Sequence, residues 1–293
     1  MSTPTSDSTD TASERAPELA RLGHSPDSDD AFMFYALAEH QIPTEGFAFE
    51  HILRDIETLN QWAREGRLEI TAISVHAYAY VADKYAILSH GASMGDNYGP
   101  MVVTRQPADL DWLRNQRIAI PGEMTSAFLA LRLLLGDFAY EVVPFDQIME
   151  AVHDGRYDAG LLIHEGQLTH GELGLHTVVD LGKWWHTETD GLPLPLGVNA
   201  VRRDLGPEKM ATLSRVLKAS IQYSLDHRAE ALRHAMQYAR GLSTETADTF
   251  VGMYVNDWTL DMGERGKQSI RLFLQRAAEH GVIPAAVPVD FVE

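Results

Sequence analysis

Cysteine is absent from all 293 residues, which removes disulfides, thiolate metal sites and cysteine nucleophiles from consideration. Positive charge is scarce: 24 Lys and Arg face 42 Asp and Glu, for a formal net charge of −18. A chain of that sign repels phosphate backbones and carries no basic stripe, so no nucleic-acid partner is expected. No apolar run approaches the length of a transmembrane helix, and no membrane partner is expected. Neither a Gly-Lys-Ser/Thr phosphate loop nor a G-x-G-x-x-G turn is present, which argues against nucleotide and dinucleotide sites. The histidines offer no metal constellation; His164 and His170, for example, are six apart, outside the i, i+4 spacing of a helical site.

What remains is the composition of a globular protein, 45% hydrophobic and 23% charged. Residues 1–17, MSTPTSDSTDTASERAP, read as a polar tail without the apolar stretch of a signal peptide or anchor, and a cytoplasmic protein is expected. Strand and helix patterns then alternate. Leu19–His24, Phe47–Ile52 and Leu68–Ser74 read as strands, with helices over Ala31–His40 and Ile56–Arg64 between them. Lys84–Ser89 and Met101–Val103 are further strands, and the stretch GASMGDNYG between them reads as a flexible loop. The pattern restarts with the strand Gln116–Ile120, the turn Pro121-Gly122 and the helix Ser126–Leu135. A strand near Glu141–Val143, a helix carrying Ile148 and Val152, and the apolar strand Ala159–Ile163 follow. Such alternation predicts parallel sheets covered by helices.

An internal echo suggests two similar halves. Glu65-Gly66-Arg67 precedes a strand ending at Ser74, and Asp154-Gly155-Arg156 precedes a strand ending at His164. Ligands of open α/β sheets sit outside the carboxyl ends of strands, so Ser74 and His164 are expected to face one crevice from opposite lobes. The segments Gly99–Arg105 and Leu196–Arg202 read as crossings between lobes. The first lobe is then discontinuous, residues 18–105 plus 196–293, and residues 106–195 form the second.

Two helix starts and one histidine carry the chemical interest. Pro121–Ala127, PGEMTSA, places hydroxyls and free N–H groups between a strand and a helix, which suits a carboxylate or phosphate. Its plainer reading is N-capping by Thr125. At Ser25–Asp30, by contrast, Asp27, Asp29 and Asp30 read chiefly as caps that complement the helix dipole. His164 ends an apolar strand, and an imidazole with an ordinary pKa of about 6.5 suits a general base at neutral pH. A structural histidine is the plainer alternative. Trp184 and Trp185, beside the Leu192-Pro193-Leu194-Pro195 run, read as packing anchors.

At these residues the chain resembles the 1,4-dihydroxy-6-naphthoate synthase family of the futalosine route to menaquinone. The likeness is carried by FMFYAL (32–37), ETLNQWAREGRL (57–68), PGEMTSA (121–127), IHEG (163–166), DLGKWW (180–185), GLPLPLGV (191–198), RRDLG (202–206) and YVNDWTLDMGERG (254–266). The resemblance implies a two-lobed α/β fold like type II periplasmic binding proteins, with two mostly parallel sheets and an interlobe cleft. It implies a carbon–carbon lyase that converts cyclic de-hypoxanthine futalosine to 1,4-dihydroxy-6-naphthoate, an anionic organic substrate, without metal or redox cofactor. The family's proton-abstracting histidine falls on His164, and its substrate-binding positions fall on Ala72, Ile73, Ser74, Ser126 and Ala127, with Thr125 adjacent. The chain departs from the family pattern at Asp27–Ala31, where Cys-Pro-Asn-Asp-Thr is common, at Ala72, where lysine is common, and at Asp96–Tyr98. Rival readings are a non-catalytic small-anion binding protein of the same fold and the sibling chorismate dehydratase; IHEG and LPLPLG favour the synthase. Oligomeric state is not encoded in any of these features.

Overall fold

The computed structural model describes residues 16–293; the tail expected over residues 1–17 lies outside them except for its last two positions. Five strands open the chain: β1 (Glu18–His24), β2 (Phe47–Leu53), β3 (Ile70–Ser74), β4 (Tyr85–Leu88) and β5 (Ser93–Gly95). The next five are β6 (Met101–Thr104), β7 (Arg117–Ile120), β8 (Ala139–Val142), β9 (Ala159–Leu162) and β10 (His176–Asp180). They form their own sheet, in the order β10-β6-β9-β7-β8. The strands β11 (Leu194–Arg202) and β12 (Phe291–Val292) return to the first sheet, ordered β12-β4-β11-β3-β1-β2 with β5 beside β11. The result is a two-lobed α/β fold.

Three details differ from the sequence expectation. The sheets are mixed rather than mostly parallel, and every antiparallel pairing involves β6 or β11. These strands bring the chain into a lobe from the cleft side, at the carboxyl ends of the parallel strands, so they must run against their neighbours. β6 itself pairs in the second sheet, ahead of the boundary placed at 105/106. Finally, the stretch read as a flexible loop contains β5, which pairs with β11 from Leu194 to Gly197.

The echoed turns share one physical cause. Gly66 (φ 70°) closes the helix Ile56–Glu65, and Gly155 (φ 77°) follows the helix Phe145–His153. Both lie in the left-handed region, where glycine has no Cβ penalty. Each turn feeds a buried strand, β3 or β9, and so fixes where that strand ends.

One apolar cluster spans both lobes, taking Ile73, Tyr78 and Ile87 from the first and Ile118, Leu129 and Leu161 from the second. Trp185, on the helix Leu181–Glu188, is fully buried against Phe273, with ring centroids 5.2 Å apart at 83°. Its indole N–H donates to Ser269 Oγ at 3.1 Å, and Ser269 donates onward to the Pro193 carbonyl at 2.6 Å. Burial with the N–H satisfied makes this tryptophan an anchor worth about 3–5 kcal/mol against truncation. Among the described residues no helix is long and apolar enough to cross a membrane.

Candidate active site

A cleft opens where four parallel strands end. Ser25, Asp27, Asp29 and Asp30 follow β1; Ala72, Ile73 and Ser74 end β3; Thr125, Ser126 and Ala127 follow β7; Ile163 and His164 follow β9; all of them line it. Every position singled out in the sequence as catalytic or substrate-binding is therefore on one wall or another of the same cavity.

The helix Ser126–Leu135 begins at the cleft. Thr125 caps it: its hydroxyl accepts from Phe128 N at 3.1 Å and donates to the Gly122 carbonyl at 2.9 Å. Ser126 Oγ accepts from His76 N at 3.3 Å and donates to the Leu196 carbonyl at 2.5 Å. Both hydroxyls expected to hold a ligand are thus spent on protein partners. The donors left over are the backbone N–H groups of Ser126 and Ala127, the first two helical residues, which have no intrahelical acceptor by construction. Beside them, Asn60 clasps the end of β3: Ser74 N donates to Asn60 Oδ1 at 2.8 Å, and Asn60 Nδ2 donates to Ser74 Oγ at 3.1 Å.

The opposite wall is acidic, and here the capping expectation fails. Asp27 occupies the N-cap of the helix Ser28–Met33 but makes no side-chain cap. Its Oδ2 lies 3.3 Å from His164 Nδ1, and its Oδ1 lies 2.5 Å from Arg240 Nη2, an ion pair without the alignment of a directed hydrogen bond. Arg240 also pairs with Glu165 at 3.0 Å and sits 4.7 Å from the centre of the Phe145 ring. Phe145 in turn meets the His164 ring edge-on, centroids 4.8 Å apart. His164 and Glu165 do not pair, as expected, but not because they alternate on a strand. His164 has left β9 with φ 55°, and Arg240 has φ 48°. Side chains other than glycine adopt such values at a cost of about 1–3 kcal/mol, which the surrounding contacts must hold in place.

Burial shapes the other two carboxyls. Asp29 is raised well above the ordinary carboxyl range by burial, then by Asp30 and Asp27, with His164 pulling the other way. Asp30 is pushed up to about 7 by burial even though its Oδ2 accepts from Ser25 N at 2.7 Å. Burial also raises the Tyr254 phenol, whose hydroxyl donates to Gln167 Oε1 at 2.8 Å.

Several lining residues were not anticipated. Asn199 is a buried amide in the apolar run LGVNAV, and that one polar residue inside a strand was a readable signal. Gly91, with φ 84°, lets the chain pass Asn199; a Cβ there would lie 2.0 Å from Asn199 Nδ2. Gln167 and Tyr254 line the cleft as well. Arg240 gave no local signal. Of the departures from the family pattern, Asp27 and Ala72 are at the cleft, whereas Asp96 is not; it accepts from Trp258 Nε1 at 3.3 Å instead.

Known proteins resemble this chain over most of its length. A family profile described as menaquinone biosynthesis matches residues 20–279. A 1,4-dihydroxy-6-naphthoate synthase of Thermus thermophilus is 42% identical over 273 residues, 93% of this chain and 99% of that protein. One from Streptomyces coelicolor is 38% identical over 277 residues, covering 92% and 97%. A crystal structure from Archaeoglobus fulgidus superposes with a TM-score of 0.87 at 46% identity, covering 93% of this chain and all of that one. The alkanesulfonate-binding protein of Xanthomonas axonopodis pv. citri, bound to MOPS, has a TM-score of 0.68 at 15% identity over 94% and 97% of the two chains, which shows the periplasmic-binding-protein fold alone. From β1 to the last long helix, with its cleft residues inside the matched span, the chain belongs to the menaquinone biosynthesis family.

Proposed function

We propose that this cleft carries out the 1,4-dihydroxy-6-naphthoate synthase reaction, a carbon–carbon cleavage with aromatisation of cyclic de-hypoxanthine futalosine, with His164 as general base. The observation that carries the reading is the His164–Asp27 contact of 3.3 Å at the cleft wall. Asp27 faces Nδ1 and favours the tautomer with hydrogen there, which leaves the lone pair on Nε2 for a substrate proton. Across the cavity, the free N–H groups of Ser126 and Ala127 suit a substrate carboxylate. Ala72, Ile73 and Ser74 complete the binding wall, and Thr125 holds the turn that presents the N–H groups. The step uses the chain's own residues and no cofactor.

The test is incubation with cyclic de-hypoxanthine futalosine and mass spectrometry for the naphthoate. Formation of product supports the reading. Binding without turnover favours the non-catalytic anion-binding alternative, and turnover of chorismate instead favours the dehydratase.

A further inference from the structure

Two groups are set against the ring of His164: Asp27, 3.3 Å from Nδ1, and Phe145, edge-on with centroids 4.8 Å apart. One guanidinium grips both. Arg240 Nη2 lies 2.5 Å from Asp27 Oδ1, and its central carbon lies 4.7 Å from the centre of the Phe145 ring. Its other arm, Nη1, donates to Glu165 Oε1 at 3.0 Å. Arg240 is not among the residues that line the cleft, so it reaches the site only through these partners. An arginine suits the task, because a planar fork can face two carboxylates from separate nitrogens and still lay a face on an aromatic ring. A lysine ammonium is a single point charge and cannot span them.

These contacts cross between the lobes. Arg240 follows the helix Arg228–Ala235, whose Ala231 and Ala235 share one apolar cluster with Ala20 and Leu22 of β1, and Asp27 follows β1 itself. His164 and Glu165 follow β9, and Phe145 opens the helix that leads to β9. Further along the same turn, Gln167 Oε1 accepts from Tyr254 of the first lobe at 2.8 Å. The turn after β9 is therefore held against the first lobe at His164, Glu165 and Gln167. His164 and Arg240 meet there with φ 55° and 48°, a left-handed backbone that neither residue prefers, so contacts from the opposite lobe must hold each in place.

Resting on the base assignment above, we infer that Arg240 is the positioning residue of His164: it fixes the two groups that orient the imidazole, and it does so only while the lobes are together. Opened lobes leave Arg240 with Asp27 on one side and His164 with Phe145 and Glu165 on the other. The base is thus assembled by closure, once substrate is enclosed.

The test measures KM, kcat and melting temperature with cyclic de-hypoxanthine futalosine for wild type, Arg240→Met and Arg240→Lys, and repeats Arg240→Met in a His164→Asn background. Since Arg240 forms no part of the cleft wall, Arg240→Met should keep KM within about threefold of wild type while kcat per folded enzyme falls about 10–100-fold, the scale of a catalytic group misplaced by an ångström. Lysine keeps the charge but not the fork, so Arg240→Lys should stay about tenfold below wild type. With His164 already replaced, Arg240→Met should lower kcat less than about twofold further, because an effect carried through the imidazole disappears with it. Glu165→Gln removes charge from the arm that crosses the lobes and leaves Asp27 paired; it should lower kcat about fivefold. Wild-type kcat per folded enzyme in Arg240→Met, even with a lowered melting temperature, would overturn the inference, as would the full loss recurring in the His164→Asn background; either leaves His164 as base. If Arg240→Met does not fold, wild-type kcat in both Arg240→Lys and Glu165→Gln would overturn it. His164→Asn with wild-type turnover would overturn the base assignment and this inference together.

Discussion

Two helix starts face one cavity and offer it opposite chemistry. At Ser126 the side chains are occupied within the protein, and what reaches the cleft is backbone N–H. At Ser28 the backbone is ordinary, and what reaches the cleft is carboxyl, one tied to His164 and Arg240, one tied to Ser25, one untied. In the proposed reaction the first end holds negative charge and the second moves protons. A chain of net charge −18 gives an anion no general attraction, so the local donors must do the holding.

The largest effect should come from the proton-moving end. His164→Asn keeps bulk and a polar head but cannot act as a base, so kcat should fall by about 10²–10⁴-fold while substrate affinity stays within tenfold. Loss of binding rather than turnover would make His164 a ligand contact and erase the contrast between the ends. Asp27→Asn should cost less. It removes the charge that faces His164 Nδ1 at 3.3 Å, so kcat should drop about tenfold with KM little changed. An unchanged kcat would mean that His164 is oriented by something other than Asp27.

At the donor end the expected effects are smaller and separable. Ser126→Ala breaks the link between His76 N and the Leu196 carbonyl, so about 1–3 kcal/mol of stability should be lost with ligand affinity within twofold. Ser126→Pro removes the N–H as well, at the one helical position where proline is tolerated, after an extended Thr125 with ψ 146°. Affinity should then fall about tenfold relative to Ser126→Ala by calorimetry. Equal affinities in the two variants would place the anion elsewhere.

The smallest effect concerns a histidine without a partner. His76 lies behind the donor end, with both ring nitrogens buried and unpaired, and burial lowers it to about 4. The unfolded chain therefore binds a proton that the fold does not between pH 6.5 and about 4. Its contribution to stability is present above pH 6.5 and is lost as pH falls through that window. His76→Phe, packed between Tyr80 and Phe128, lacks this term, so its Tm should rise relative to wild type as pH falls from 6.5 to 4. A difference in Tm that stays constant with pH would show that His76 is protonated equally in both states.

Much of this molecule was legible before folding. The helix expected over Ser126–Leu135 has those bounds, because a capping threonine starts it and the apolar residues behind keep helical spacing. Gly66 and Gly155 marked two turns, and these set Ser74 and His164 at strand ends on one cleft. The helix expected over Ala31–His40 is instead broken at Phe34 into Ser28–Met33 and Tyr35–Ala38. The hydroxyls of Thr125 and Ser126 were legible as cleft residues but not as groups already engaged, since their partners Gly122, His76 and Leu196 include residues far along the chain.

The sequence by itself determined the alternation of strands and helices, the turns between them and the residues gathered at strand ends. Those properties follow from side-chain periodicity and local backbone preference, which act over a few residues. Only the tertiary structure decided that Asp27 belongs to His164 rather than to its own helix, that Arg240 holds Asp27, and that Asp29 stands without a cation. The reason is that a carboxyl near a helix start has two outlets, the local N–H groups and whatever the other lobe brings within a few ångströms. Local propensity describes the first outlet alone. The second exists only once the lobes meet, and here the charged contacts of Asp27 across the cleft outweigh the cap.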